Sequence, residues 1–171
     1  QLLYFDSANR RLGGRQAGTQ LVDKNPLNLL RLGFIRRLFP DAKIIFSERD
    51  LRDTALSCFL NDLGGWGRQG FWSLAESLEI LQRLSDFFAQ QSSALGVEAL
   101  RLRYEDLSTN PETSLRRLCA HIGIDFDPGM LDHANTARRR GAIGTPSYQQ
   151  VTQAISSDRQ GRAAAYAPFF Q

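Results

Sequence analysis

The chain has 171 residues, 42% hydrophobic and 23% charged, which are ordinary proportions for one globular domain. A chain of this length buries roughly 70% of the surface exposed when unfolded, so a substantial core is expected. The net charge of +3 suits a polyanionic small ligand as well as nucleic acid, and no run approaches the ~18 apolar residues of a membrane span.

Residues 2–6 read as a short strand or the tail of a helix, and the polar, Gly-rich residues 7–20 as a loop. Asn25 is placed to cap a helix that Pro26 begins, and Leu29, Leu30, Phe34, Ile35 and Leu38 keep helical spacing to about Phe39. Pro40-Asp41 turns the chain into a β-prone run from Lys43 to Ser47, apolar enough to expect cover on both faces. Helical periodicity resumes from Asp53 to Leu63, and residues 64–70 form a Gly-rich loop with Trp66. A long helix follows from about Trp72 to Ala94, with Leu74, Leu78, Leu81, Leu84 and Phe88 on one stripe. Val97 to Arg103 alternates as a half-buried strand should. Pro111 starts a helix to about Ile122, Asp127-Pro128 opens a shorter one to about Asn135, residues 141–157 read as an extended loop, and a last short helix spans 159–166. Strands alternating with helices argue for an α/β layer with a parallel sheet.

The basic clusters Arg36-Arg37, Arg116-Arg117 and Arg138-Arg139-Arg140 lack interleaved aromatics, so nucleic acid is not expected as a partner. Cys58 and Cys119, on different predicted helices, read as small buried hydrophobes in a reducing compartment. Together with His121 and His133 they show no metal-ligand spacing, so no metal is expected. No basic start followed by an apolar stretch marks a signal peptide, and a cytoplasmic location is favoured.

The chemistry concentrates where the first strand meets the next helix. Arg49 stands at the strand end, and Ser57 lies about two turns into the helix that follows. A guanidinium and a hydroxyl so placed can converge on one phosphate, and strand C-termini are where open α/β sheets bind nucleotides. An ion pair of Arg49 with Asp50 or Asp53, and a serine bonded to its own helix backbone, are the plainer readings.

Lys24-Asn25-Pro26, Phe39-Pro40-Asp41-Ala42-Lys43 and Arg49-Asp50-x-x-Asp53-x-x-x-Ser57 together resemble the 3′-phosphate-binding segment of sulfotransferases. These enzymes use 3′-phosphoadenosine-5′-phosphosulfate (PAPS). The bacterial and tyrosylprotein sulfotransferases are the nearest in flavour, and Tyr104-Glu105-Asp106-Leu107 with Asn110-Pro111 matches a second block. The resemblance runs from about residue 21 to the C-terminus. It implies a P-loop-NTPase-like three-layer α/β fold with a parallel sheet flanked by helices, residues 1–171 forming one sulfotransferase-like domain.

It also implies roles for particular residues. Arg49 and Ser57 would hold the 3′-phosphate, Lys24 would offset charge on the departing phosphate, and Ser147 would help Lys24 at the bridging oxygen. Tyr104 matches a tyrosine that reaches the adenine, with a buried tyrosine packed at the strand end as the alternative reading. Gly161-Arg162 resembles the start of a signature that reaches the 3′-phosphate, with Ala163 in place of its tryptophan and a packing anchor therefore lost. Ser157 stands where many relatives carry an arginine, for which Arg159 is a nearby substitute.

Family members begin with a strand and a Gly-x-x-Arg-Ser-Gly-Thr loop that cradles the 5′-phosphosulfate, near which the general base also lies. Gly13-Gly14-Arg15 and Gly18-Thr19 do not match it, so the chain is expected to be the C-terminal part of a larger enzyme. His121 and His133 read as packing or surface residues rather than as a replacement base. The expected function is sulfuryl transfer from PAPS to a hydroxyl on a tyrosine peptide, carbohydrate or small molecule. A non-catalytic binding module of the same fold, or an inactive fragment, is the alternative.

Overall fold

The computed structural model describes residues 1–14, 18–61, 71–139, 157–158 and 160–171. They fall into two compact units, Gln1–Ala42 with Phe87–Val97, and Lys43–Asp86 with Glu98–Gln171.

The first unit opens on helix α1, Leu2–Leu12, which closes on Gly13 in the left-handed region at φ 70°. Only glycine takes that conformation readily, and Arg10 and Arg11 in the last turn suit the negative end of the helix. The expected loop from residue 7 is thus helical as far as Leu12; of the polar residues that suggested a loop, Arg10 and Arg11 are exposed and Ser7 and Asn9 half-buried. Tyr4, Phe5 and Phe39 pack edge to face with ring centroids 5.1–5.8 Å apart, and the Tyr4 hydroxyl donates to Asp23 Oδ2 at 2.8 Å. Asn25 caps as expected, accepting from the Leu27 N–H at 2.9 Å. The helix after it begins as a 3-10 segment, Pro26–Arg31, and becomes helix α2 over Leu32–Leu38. Leu32 and Phe88 are buried in this unit.

In the second unit, strands β1 (Ile44–Glu48) and β2 (Ala99–Arg103) pair in parallel, with Ile44 opposite Ala99 and Glu48 opposite Arg103. An Arg101–Glu48 ion pair crosses the sheet, and the Arg101 guanidinium lies 5.5 Å from the Phe46 ring centre. Burial alternates along β1, and Ile45 remains 38% exposed. The apolar run therefore does not bring equal cover to both faces among the described residues. The parallel pairing needs a long crossover, which contains helix α3, Leu51–Leu60, and helix α4, Leu74–Ala94. Ser73 caps the start of α4: its hydroxyl accepts from the Glu76 N–H and donates to the Glu76 carboxylate, each at 3.1 Å.

β2 runs straight into helix α5, Tyr104–Thr109, a short element the sequence did not announce. Asn110-Pro111 then opens helix α6, Pro111–Ile122, which Gly123 ends at φ 76°. The expected helix after Asp127 splits into a 3-10 turn, Pro128–Leu131, and helix α7, His133–Arg139. The C-terminal helix is a 3-10 segment, Arg162–Phe170. Ala55, Leu56, Leu74, Cys119, Ala137 and Ala163 are buried in this unit. His121 Nε2 lies 3.0 Å from the Ile44 carbonyl oxygen and so joins α6 to β1, a packing role. Among the described residues, no helix is long and apolar enough to cross a membrane.

Candidate functional site

Both parallel strands end at the same place, and the residues just beyond them are tied together. Arg49 follows β1. Asp50 caps α3, its Oδ1 accepting from the Asp53 N–H at 2.9 Å and its carbonyl from the Thr54 N–H at 2.9 Å. Tyr104 and Glu105 follow β2. Glu105 Oε1 accepts from the Asp50 N–H at 2.8 Å, and the Arg49 guanidinium sits 4.9 Å from the Tyr104 ring centre, within cation–π range. One strand end thus clamps the other.

Asp53 lies under this corner, 3% exposed. A buried carboxylate requires partners. It has Arg49 Nη2 at 3.9 Å, the Gly161 N–H at 2.6 Å on Oδ2, and the Ala163 N–H at 2.8 Å on Oδ1. The plainer reading of Arg49 as an ion-pair partner therefore holds for Asp53, while Asp50 serves as the cap. At 3.9 Å the Arg49–Asp53 contact is an ion pair longer than a hydrogen bond.

Ser57 follows Asp53 by one turn on the same face of α3. Its Oγ lies 3.4 Å from the Asn61 side-chain amide, which donates, so the serine's own O–H remains a donor to offer. Arg162 is exposed and sits between the two amides that Asp53 holds. The neighbouring Gln160 side chain donates to Ser108 Oγ at 2.5 Å, a second tether to α5. Ala163, in place of the expected tryptophan, is 4% exposed and bound through its backbone.

Cys58, the next residue on α3, senses the same charge. Burial pushes its thiol above the ordinary value, and the Arg49 charge pulls it partly back down. Cys58 and Cys119 are both free thiols, and Cys119 is the more deeply buried.

The structure thus brings Arg49, Ser57, Tyr104 and Arg162 into one unit, with Arg49 directly joined to Tyr104 and, through Asp53, to the segment that carries Arg162. Lys24 belongs to the first unit and is exposed. Ser147, Arg159 and Trp66 lie outside the described residues. Two organisers were missed as such: Asp53, known in sequence only as a potential partner of Arg49, and Glu105, known only as part of a matching block. Among the described residues, no cluster of His, Cys, Asp and Glu has the arrangement of a metal site.

A guanidinium at a strand end, with a hydroxyl on the helix that follows, suits a phosphate. The model of the sulfotransferase family matches residues 3–128. The chain belongs to that family. Its helices and parallel sheet agree with the P-loop-like sulfotransferase fold expected from the motifs. Among curated relatives, it is 24% identical over 135 residues to protein-tyrosine sulfotransferase 1 of Danio rerio, covering 79% of this chain and 38% of that protein. It is 26% identical over 133 residues to protein-tyrosine sulfotransferase A of Caenorhabditis elegans, covering 71% of this chain and 32% of that one. An uncharacterized protein of Aquifex aeolicus is 27% identical over 145 residues, covering 80% of this chain and 18% of the other. The sulfotransferase match therefore spans well under half the length of these relatives.

Proposed function

We propose that this chain carries the nucleotide-holding part of an enzyme that moves a sulfuryl group from PAPS to a hydroxyl acceptor. Residues 1–171 act as one sulfotransferase-like domain in this reading. The observation that supports it best is the Arg49 corner, a guanidinium at a parallel-strand end, stacked on Tyr104 and loosely paired to a carboxylate that has other partners.

In the reaction, the acceptor oxygen bonds to sulfur while the bridging sulfur–oxygen bond breaks. Its electron pair leaves with adenosine 3′,5′-bisphosphate, and the acceptor proton passes to a base. Arg49 and Arg162 supply charge to the 3′-phosphate, Ser57 adds a hydroxyl donor, and Tyr104 borders the adenine while keeping Arg49 in place. From the sequence resemblance alone, Lys24 is assigned to offset the negative charge that develops on the departing oxygen and Ser147 to help it, and no metal is required because side-chain cations do this work. The relatives named for protein tyrosine make a tyrosine peptide the first acceptor to test, ahead of carbohydrates and small alcohols.

Arg49→Ala tests the assignment. A hydrogen bond to a charged group contributes about 1.5–3 kcal/mol, so affinity for adenosine 3′,5′-bisphosphate should fall about tenfold or more. Unchanged affinity removes Arg49 from the site and the proposed function with it.

A further inference from the structure

We propose that Asp53 is a positioning residue that sets both arginines of the nucleotide site from a single carboxylate. This rests on the nucleotide-binding reading above and goes beyond it. The carboxylate is 3% exposed and binds two things unequally. It holds the Gly161 and Ala163 amides closely, at 2.6 and 2.8 Å, and Arg49 loosely, at 3.9 Å.

The close bonds fix the backbone on either side of Arg162. Gly161 adopts φ 70°, a left-handed turn that glycine makes without strain, and from it the chain presents both amides to the same side chain. Residues 108 and 110 positions away in sequence are thereby fastened to the first turn of α3. The loose pair has a different use. Arg49 can turn from Asp53 to a phosphate without stranding a buried charge, because two amides still satisfy the carboxylate. The same carboxylate thus meets Arg49 through its side chain and Arg162 through the backbone on either side of it.

Asp53→Asn tests this in the full chain with two readouts. The first is hydrogen exchange at the Gly161 and Ala163 amides, without nucleotide. The asparagine turns an NH2 toward one of the two amides, so protection should fall at one or both; unchanged protection at both overturns the tether. The second is titration with adenosine 3′,5′-bisphosphate and with 5′-AMP. Affinity for the bisphosphate should fall about tenfold while that for 5′-AMP holds, and Arg162→Ala should cost less in the Asp53→Asn background than alone. Loss of neither affinity, equal loss of both, or full additivity of the two substitutions overturns the positioning role. A wild-type chain that binds neither nucleotide refutes the proposed function and the positioning role with it, while the tether is still judged by exchange alone. If Asp53→Asn does not fold, the wild-type chain decides: bisphosphate should raise protection at both amides, and no rise overturns the coupling.

Discussion

Glu105 joins the two strand ends, and its removal has a calculable cost. Its Oε1 accepts from the Asp50 N–H at 2.8 Å, while its Oε2 is 3.8 Å from Arg103 Nε, whose side chain is 58% exposed. A hydrogen bond to a charged acceptor contributes about 1.5–3 kcal/mol, whereas an exposed ion pair contributes about 0–1 kcal/mol. Asp50 is itself exposed, so water can take over the vacated N–H and the lower end applies. Glu105→Ala should therefore cost about 1.5 kcal/mol, or roughly 3–6 °C in Tm for a domain of this size. Glu105→Gln keeps an acceptor oxygen and should lose less than half of that. Arg103→Ala should stay within about 0.5 kcal/mol of wild type. Urea unfolding followed by circular dichroism gives all three values. If Arg103→Ala costs as much as Glu105→Ala, the ion pair and not the amide bond holds the strand ends together, and the clamp as described is wrong.

Tyr104→Phe keeps a ring beneath Arg49 and should leave bisphosphate affinity within about twofold, whereas Tyr104→Ala removes a contact of about 0.5–2 kcal/mol and should weaken binding a few-fold or more. Equal losses in calorimetric titrations would assign the effect to the hydroxyl and refute the stacking role. Cys58 supplies a pH-dependent reporter of Arg49, because burial raises its pKa and the Arg49 charge lowers it. Arg49→Ala should move the pH profile of Cys58 alkylation to higher pH and slow the reaction at any fixed pH on its rising limb. A shift to lower pH, read by mass spectrometry of the alkylated peptide, would contradict the placement of Arg49 beside that thiol.

The parts of this fold that were readable in sequence are those set by local chemistry. Asn25-Pro26 announced its own cap, Ile44-Ile45-Phe46 its strand, and the Leu74-to-Phe88 stripe its helix, because each depends on neighbours a few residues away. The position of Arg49 was legible for the same reason, since a strand followed by Arg-Asp and a capped helix leaves the arginine at the corner. Residues 7–12 were misread because Ser7, Asn9, Arg10 and Arg11 resemble a loop when the packing around Tyr4 and Phe5 is not visible. Tyr104–Thr109 is too short to show a helical period. The tether from Asp53 to Gly161 and Ala163 had no local signal at all, because it joins residues more than a hundred positions apart. Family resemblance supplied Arg162 as a candidate, but only the fold shows what holds it.

The most direct test of the account is calorimetric titration of the wild-type chain with adenosine 3′,5′-bisphosphate, with 5′-AMP as the control. The Arg49 corner predicts micromolar binding of the bisphosphate and much weaker binding of the nucleotide that lacks the 3′-phosphate. Equal affinity for the two, or no binding of either by the folded chain, would contradict a 3′-phosphate site at this corner.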